Sequence, residues 1–226
     1  MNTGTNIVDG SFFKELLKPT CFYLIRHGES AGNAAGIFQG HAEYPLNETG
    51  QGQARARGIE LKKAINPDTR PLIFTSPLGR ARESAQLIAE EAGLGAPVIL
   101  NELIELDTGA WTGRTWKELR ELSGTEWQDF HQRSWEAVEG AERQADLYDR
   151  AIQAWTRLRD AAIEHDSSTL IAVSHGGFLQ WLVRATFGTK TWFPLVPAHN
   201  CGSYKLKIEN TSGSSAYVAW ETMDSH

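Results

Sequence analysis

The sequence predicts an α/β fold built on a largely parallel sheet. Three observations carry that reading. Short apolar runs at 22–26, 72–76 and 168–174 (FYLIR, LIFTS, STLIAVS) read as buried strands. Helical patterns lie between them, and strands alternating with helices make an α/β layer. The 226 residues contain no internal repeat, no low-complexity segment and no linker long enough to split the chain. One domain over 1–226 is therefore expected, with a helical insertion at about 114–150.

The elements follow in order. The run at 22–26 comes after Pro19 and leads into a glycine-rich stretch from Gly28 to Gly40. Asn47 has the chemistry of a helix N-cap, with Glu48 in the first turn. Its helix runs to about Ala64, where Asn66-Pro67 ends it. After the second strand, Ser76-Pro77 reads as a helix start, the hydroxyl capping and the proline taking the first helical position. That helix sets Leu78, Ala81, Ala85 and Ile88 on one face and stops before Gly93. Residues 96–100 give a short third strand. From Thr115 to His165 the pattern is helical in three pieces, broken at Ser123-Gly124 and near Gly140. The run at 168–174 is the clearest strand, and Gly176 to Phe187 is a helix closed by Gly188. Late strands at 203–208 and 216–220 form an antiparallel edge, and the last residues are a polar tail.

Composition narrows the function. Lys and Arg number 22 against 28 Asp and Glu, so the net charge is −6, which argues against a nucleic-acid backbone as the main ligand. No apolar run approaches ~18 residues, so no membrane-spanning helix is expected. The first residues lack the basic-then-apolar pattern of a signal peptide. Cys21 and Cys201 make neither a disulfide framework nor a zinc motif. The expectation is a cytoplasmic protein with a small-molecule partner and no membrane or nucleic-acid role; the sequence is silent on oligomeric state.

In an open α/β sheet, ligands bind at the carboxyl ends of the strands. There the chain places Arg26-His27-Gly28-Glu29-Ser30, Thr75-Ser76-Pro77-Leu78-Gly79-Arg80 and Ser174-His175-Gly176-Gly177. Two arginines, two histidines and glycines that let backbone approach a ligand suit a small anion with tetrahedral oxygens, which is phosphate chemistry. One histidine after one strand would be an ordinary capping or core residue; the set at three strand ends carries the reading. Other motifs fail. His27-Gly28-Glu29 mimics the H-x-E of zinc deaminases, but no P-C-x-x-C follows. His175-Gly176-Gly177 is similar to an esterase oxyanion loop, but G-x-S-x-G is absent, as are a Walker loop and G-x-G-x-x-G.

Arg26-His27-Gly28-Glu29-Ser30, with Asn33 three residues later, resembles the signature of the histidine phosphatase superfamily, the phosphoglycerate mutase-like proteins of branch 1. The rest of that pattern follows in order: Gln39-Gly40, Pro45-Leu46-Asn47 and Gln53-Ala54, then Thr75-Ser76 with Arg80-Ala81, then Glu105 with Gly109, Trp111 and Gly113, and finally Ser174-His175-Gly176-Gly177. The likeness spans roughly residues 22 to 205.

The resemblance implies a three-layer α/β/α sandwich with a mainly parallel central sheet and a small helical cap over the strand ends. It implies that His27 is the nucleophile, that Arg26, Arg80 and His175 hold the phosphoryl oxygens, and that Glu105, four residues before Gly109, is the proton donor rather than Glu102. Ser30, Asn33, Gln39, Gly40 and Gly176 would bind on the phosphate side. No cofactor and no metal is expected, since cationic side chains stand where other phosphoryl-transfer enzymes use Mg²⁺.

The segment after Gly109 bears on substrate. Trp111, Trp116, Trp127 and Trp135 lie close together with Phe130; most should pack a small cap core, and one or two rings could wall the pocket. Arg114, Lys117, Arg120, His131 and Arg133 lie in the same stretch, and one of them could meet a second anionic group. Mutases of this family carry a longer insertion with paired arginines, and none is present here. The expectation is therefore a metal-independent phosphate monoester hydrolase acting through a phosphohistidine on a small phosphorylated metabolite. Mutase-type transfer and a non-catalytic phospho-ligand or phosphoprotein binder are the alternatives. Departures from the pattern, at Glu43, Thr108 and Gly140-Ala141-Glu142-Arg143, bear on cap geometry.

Overall fold

The computed structural model describes residues 7–121, 126–190, 197–209 and 215–223. Among them, strands β1 (Thr20–Arg26), β2 (Leu72–Thr75), β3 (Val98–Ile99), β4 (Thr169–Ser174), β5 (Ser203–Glu209) and β6 (Tyr217–Met223) form one sheet. Its spatial order is β3-β2-β4-β1-β5-β6. The first four are parallel, and β5 and β6 are the antiparallel edge expected from their sequences. The α-helices are α1 (Ala31–Ala34), α2 (Glu48–Ala64), α3 (Gly79–Ala92), α4 (Trp116–Arg120), α5 (Glu126–Arg133), α6 (Gln144–Glu164) and α7 (Gly176–Phe187).

Continuous apolar strands follow from burial on both faces, because successive strand residues point to opposite sides. On β1, Phe22 and Leu24 join one core with Leu147, Trp155 and Leu158 of α6 and Phe178 and Leu182 of α7. Tyr23 and Ile25 join the other, with Leu61 of α2 and Ala81, Ala85 and Ile88 of α3. The result is an α/β/α sandwich. Trp155, fully buried, sets its ring edge-on against Phe13 and Phe22, with centroids 5.7 and 5.4 Å away. A third, smaller core gathers Trp111, Leu119 and Val138, with Phe38, Phe130 and Trp135 against it. Most of the aromatic density after Gly109 is used here. The side chains of Trp127 and His131 lie outside the described residues.

Several boundaries differ from the sequence reading: β3 is only Val98–Ile99 rather than 96–100, and β6 runs on to Met223. The helix expected at Ser76-Pro77 begins at Gly79, with Leu78 at the N-cap position and no hydroxyl cap. Instead the Glu43 carboxylate reaches from another loop and accepts from the Gly79 N–H at 3.1 and 3.2 Å, a side chain no local pattern could supply. The helical stretch after Thr115 starts with a capping box between Thr115 and Glu118. It contains the three α-helices expected, α4, α5 and α6, with a 3-10 turn added at Ser134–Ala137. The break at Ser123-Gly124 lies outside the described residues, whereas the one at Gly140 is seen, with φ +72°. Helix α6 begins at Gln144, inside the stretch read as the insertion. No helix among the described residues is long and apolar enough to cross a membrane.

Parallel pairing of β1 with β4 sets Arg26 opposite Ser174. The residues that follow, His27 and His175, therefore leave the sheet side by side at its carboxyl edge.

Candidate active site

The loop after β1 turns sharply because Gly28 lies against the N-terminus of α2. A Cβ on Gly28 would stand 2.3 Å from the Gly50 carbonyl oxygen, so no larger residue fits. The Gly28 N–H donates to Ser84 Oγ at 3.0 Å, and that hydroxyl donates to the Arg80 carbonyl at 2.7 Å. Strand end and α3 are thus tied together directly beneath His27.

His27 is 2 % exposed. Its Nδ1 lies 2.6 Å from the Gly28 carbonyl oxygen. A carbonyl only accepts, so Nδ1 carries the proton and Nε2 presents a lone pair. Burial first, then the Arg80 and Arg26 guanidiniums, lower the His27 pKa to about 3, so the ring is neutral at ordinary pH.

His175 is fully buried, its ring centroid 5.0 Å from that of His27. Its Nε2 lies 2.7 Å from Ser76 Oγ, which already accepts from the Leu78 N–H at 3.3 Å. With that hydroxyl donating to Nε2, the imidazole proton lies on Nδ1, a buried atom with no hydrogen-bond partner. Burial, then His27, Arg80 and Arg26, hold the His175 pKa well below its usual value. The ring is a neutral polar donor and not a cation.

Arg80 is 1 % exposed; its two terminal nitrogens donate to the Ala42 and Gly40 carbonyls at 2.8 and 2.9 Å. Arg26 donates to the Ala198 carbonyl at 3.0 Å. In both, Nε is buried without a partner. Three orphaned donors, on Arg26, Arg80 and His175, therefore surround His27. A buried donor left unpaired costs free energy that an oxyanion would recover. Gly176 makes room for this arrangement, since a Cβ there would sit 3.2 Å from Arg26 Nε.

Glu105 caps α7 from outside. Its Oε2 accepts from the Gly177 N–H at 3.1 Å, and its Oε1 from the Phe178 and Leu106 N–H groups, each at 2.8 Å. Arg150 braces the loop behind it, donating to the Ile104 and Glu102 carbonyls at 2.7 and 3.0 Å while pairing with Glu142 at 2.7 Å. Glu102 is instead paired with Arg157 at 3.3 Å.

A cavity of about 630 Å³ opens here, and Arg26, His27, Arg80, Glu105 and Gly176 line it, as do Asn33, Gln39 and Gly40. Ser30 does not. It is fully buried as the N-cap of α1, and its hydroxyl lies 2.9 Å from Asn33 Oδ1 and 2.8 Å from Gln39 Oε1, steering both from behind. Phe38, Trp116, Phe130, Trp135 and Trp181 wall the outer part. Sequence reasoning missed Ser76, Ser84 and Arg184. The first two were legible only as helix residues; Arg184 falls eight positions after Gly176, a spacing that marks one helix face. Among the described residues, no three His, Cys, Asp or Glu side chains gather as a metal-binding group.

The described fold is an α/β sandwich whose strand ends converge on a cavity lined by Arg26, His27 and Arg80. The chain belongs to the histidine phosphatase superfamily (branch 1), whose family model matches residues 22–221. It is 33 % identical over 160 residues to the metal-independent phosphoserine phosphatase of Arabidopsis thaliana, covering 70 % of this chain and 64 % of that one. With the adenosylcobalamin/alpha-ribazole phosphatase of Salmonella typhimurium it shares 32 % over 169 residues, covering 71 % and 76 %. The solved mycobacterial glucosyl-3-phosphoglycerate phosphatase superposes with a TM-score of 0.75 at 22 % identity, covering 92 % and 100 %, a likeness of fold. Proteins named as phosphoglycerate mutases are similar to it as well.

Proposed function

We propose that the chain hydrolyses a phosphate monoester of a small metabolite through a phosphohistidine on His27. One observation carries this: the His27–Gly28 hydrogen bond, which leaves a neutral Nε2 lone pair at a cavity that His27 lines together with Arg26 and Arg80, whose Nε groups are unpaired. Nε2 attacks phosphorus and forms the N–P bond as the ester P–O bond breaks. Arg26, Arg80 and His175 each give a hydrogen bond to a non-bridging oxygen. Such charge-assisted bonds are worth roughly 1.5–3 kcal/mol each. Glu105 protonates the leaving oxygen, then takes a proton from the water that attacks the phosphohistidine and frees His27, a role worth ~10²–10⁴ in rate. Asn33, Gln39, Gly40 and Gly176 complete the phosphate side, with Ser30 orienting the first two.

Two guanidiniums and an imidazole N–H occupy the positions at which a metal would otherwise neutralise the phosphoryl charge, so we read the reaction as metal-independent. Water is the acceptor in this reading, in preference to mutase transfer, because residues 114–150 lack the paired arginines that would retain a second phosphate. The same reading takes residues 1–226 as one domain with 114–150 as its cap, in the cytoplasm, with no nucleic-acid partner.

The test is a quenched reaction with a labelled ester in EDTA. A base-stable, acid-labile phosphate on His27, with stoichiometric release of inorganic phosphate and loss of both in His27→Ala, is expected. Turnover without that label, or at wild-type rate in His27→Ala, would overturn the assignment.

A further inference from the structure

We infer that Arg184 recognises a second anionic group on the substrate, so that the preferred ester joins its phosphate to an apolar, ring-sized body ending in a negative charge. This rests on His27 marking the phosphorus site.

Helix α7 runs along the cavity like a ruler. Gly176, Gly177, Gln180, Trp181 and Arg184 line it, a spacing that keeps them on one helix face. At ~1.5 Å per residue, the Arg184 backbone lies roughly 12 Å beyond Gly176. Helical side chains lean toward the N-terminus. The Arg184 guanidinium does so, lying over the Trp181 ring 4.4 Å from its centroid. An anion on it would stand roughly 6–10 Å from phosphorus, by the same helical rise.

The charges around the cavity call for such an anion. Among the described residues, four guanidiniums line it, those of Arg26, Arg80, Arg133 and Arg184, against the single carboxylate of Glu105. A phosphoryl group answers Arg26 and Arg80. Arg184 pairs with no carboxylate among the described residues, and its Nε is buried with no hydrogen-bond partner. Burial alone pulls its pKa down, the mark of a cation whose surroundings do not compensate it. Arg133 faces the same space, its guanidinium hydrogen-bonded among the described residues to the Glu136 carbonyl at 3.2 Å. Between the phosphate end and these cations, Phe130, Trp135 and Trp181 supply apolar walls.

Non-hydrolysable phosphonates test this without turnover. Calorimetry would compare 4-carboxybenzylphosphonate, its neutral amide and 1,4-xylylenebisphosphonate on the wild type, Arg184→Gln and Arg184→Lys. The wild type should bind at least one of the two anionic probes about tenfold more tightly than the amide. Arg184→Gln should erase that preference and Arg184→Lys keep part of it. The anion whose gain depends more on Arg184 identifies the group as carboxylate or phosphate. Equal affinity for all three probes in the wild type overturns the inference and leaves the phosphorus site intact. So does an equal loss for all three in Arg184→Gln. If no phosphonate binds, both readings fall.

Discussion

His27 Nδ1 stands 2.6 Å from the carbonyl oxygen of Gly28, the next residue in the chain. The bond is therefore set by the loop's own turn, and that turn needs a glycine because Gly50 lies against it. Tautomer and orientation of one imidazole follow from a single backbone contact, while burial and the Arg80 and Arg26 guanidiniums lower its basicity.

Burial beside two guanidiniums has a pH signature. Folding lowers the His27 pKa from 6.5 to about 3, so between those values the unfolded chain binds more protons than the folded one. This contribution is complete above pH 6.5 and is lost as pH falls toward the folded value, by about 1.4 kcal/mol per pH unit. His175 shifts in the same direction. Urea unfolding between pH 4.5 and 6.5 should show a shallower fall in stability for His27→Gln than for the wild type. Equal slopes would mean that His27 is not held neutral.

Glu105→Gln keeps a group that can accept from the α7 N–H groups but cannot give a proton to a leaving oxygen. Its rate on an alkyl phosphate should drop by ~10²-fold or more, and far less on p-nitrophenyl phosphate, whose leaving group needs no acid. Parallel losses on both substrates would point to another donor.

Ser76→Ala removes the hydroxyl that orients His175. The ring then has no partner at Nε2 to fix its tautomer, and inorganic phosphate should bind roughly tenfold more weakly. Unchanged affinity, read by calorimetry, would show that the His175 N–H is positioned otherwise.

The strands and the phosphate end were legible from sequence because they rest on local signals. Apolar runs marked β1, β2 and β4, and Asn47 and Gly188 bounded α2 and α7 where expected. What was not legible depends on residues distant in the chain. Ser76 looks like a helix cap, yet its hydroxyl points at His175, 99 positions away, and Glu43 caps α3 in its place. Ser30 looks like a ligand-binding hydroxyl, yet α1 turns it inward. Arg184 is the one charged residue of α7, whose register against the cavity only the packing of that helix decides.

The sheet order carries a consequence for how the protein matures. Strand β4 lies between β2 and β1, yet it is made long after both. Until it inserts, the two earlier strands have no shared neighbour, and Arg26, Arg80 and His175 cannot share one anion. A nascent or truncated chain ending before residue 169 would expose apolar strand faces and bind no phosphate. Recovery of phosphate binding during refolding thus reports closure of the central strand, a non-local step.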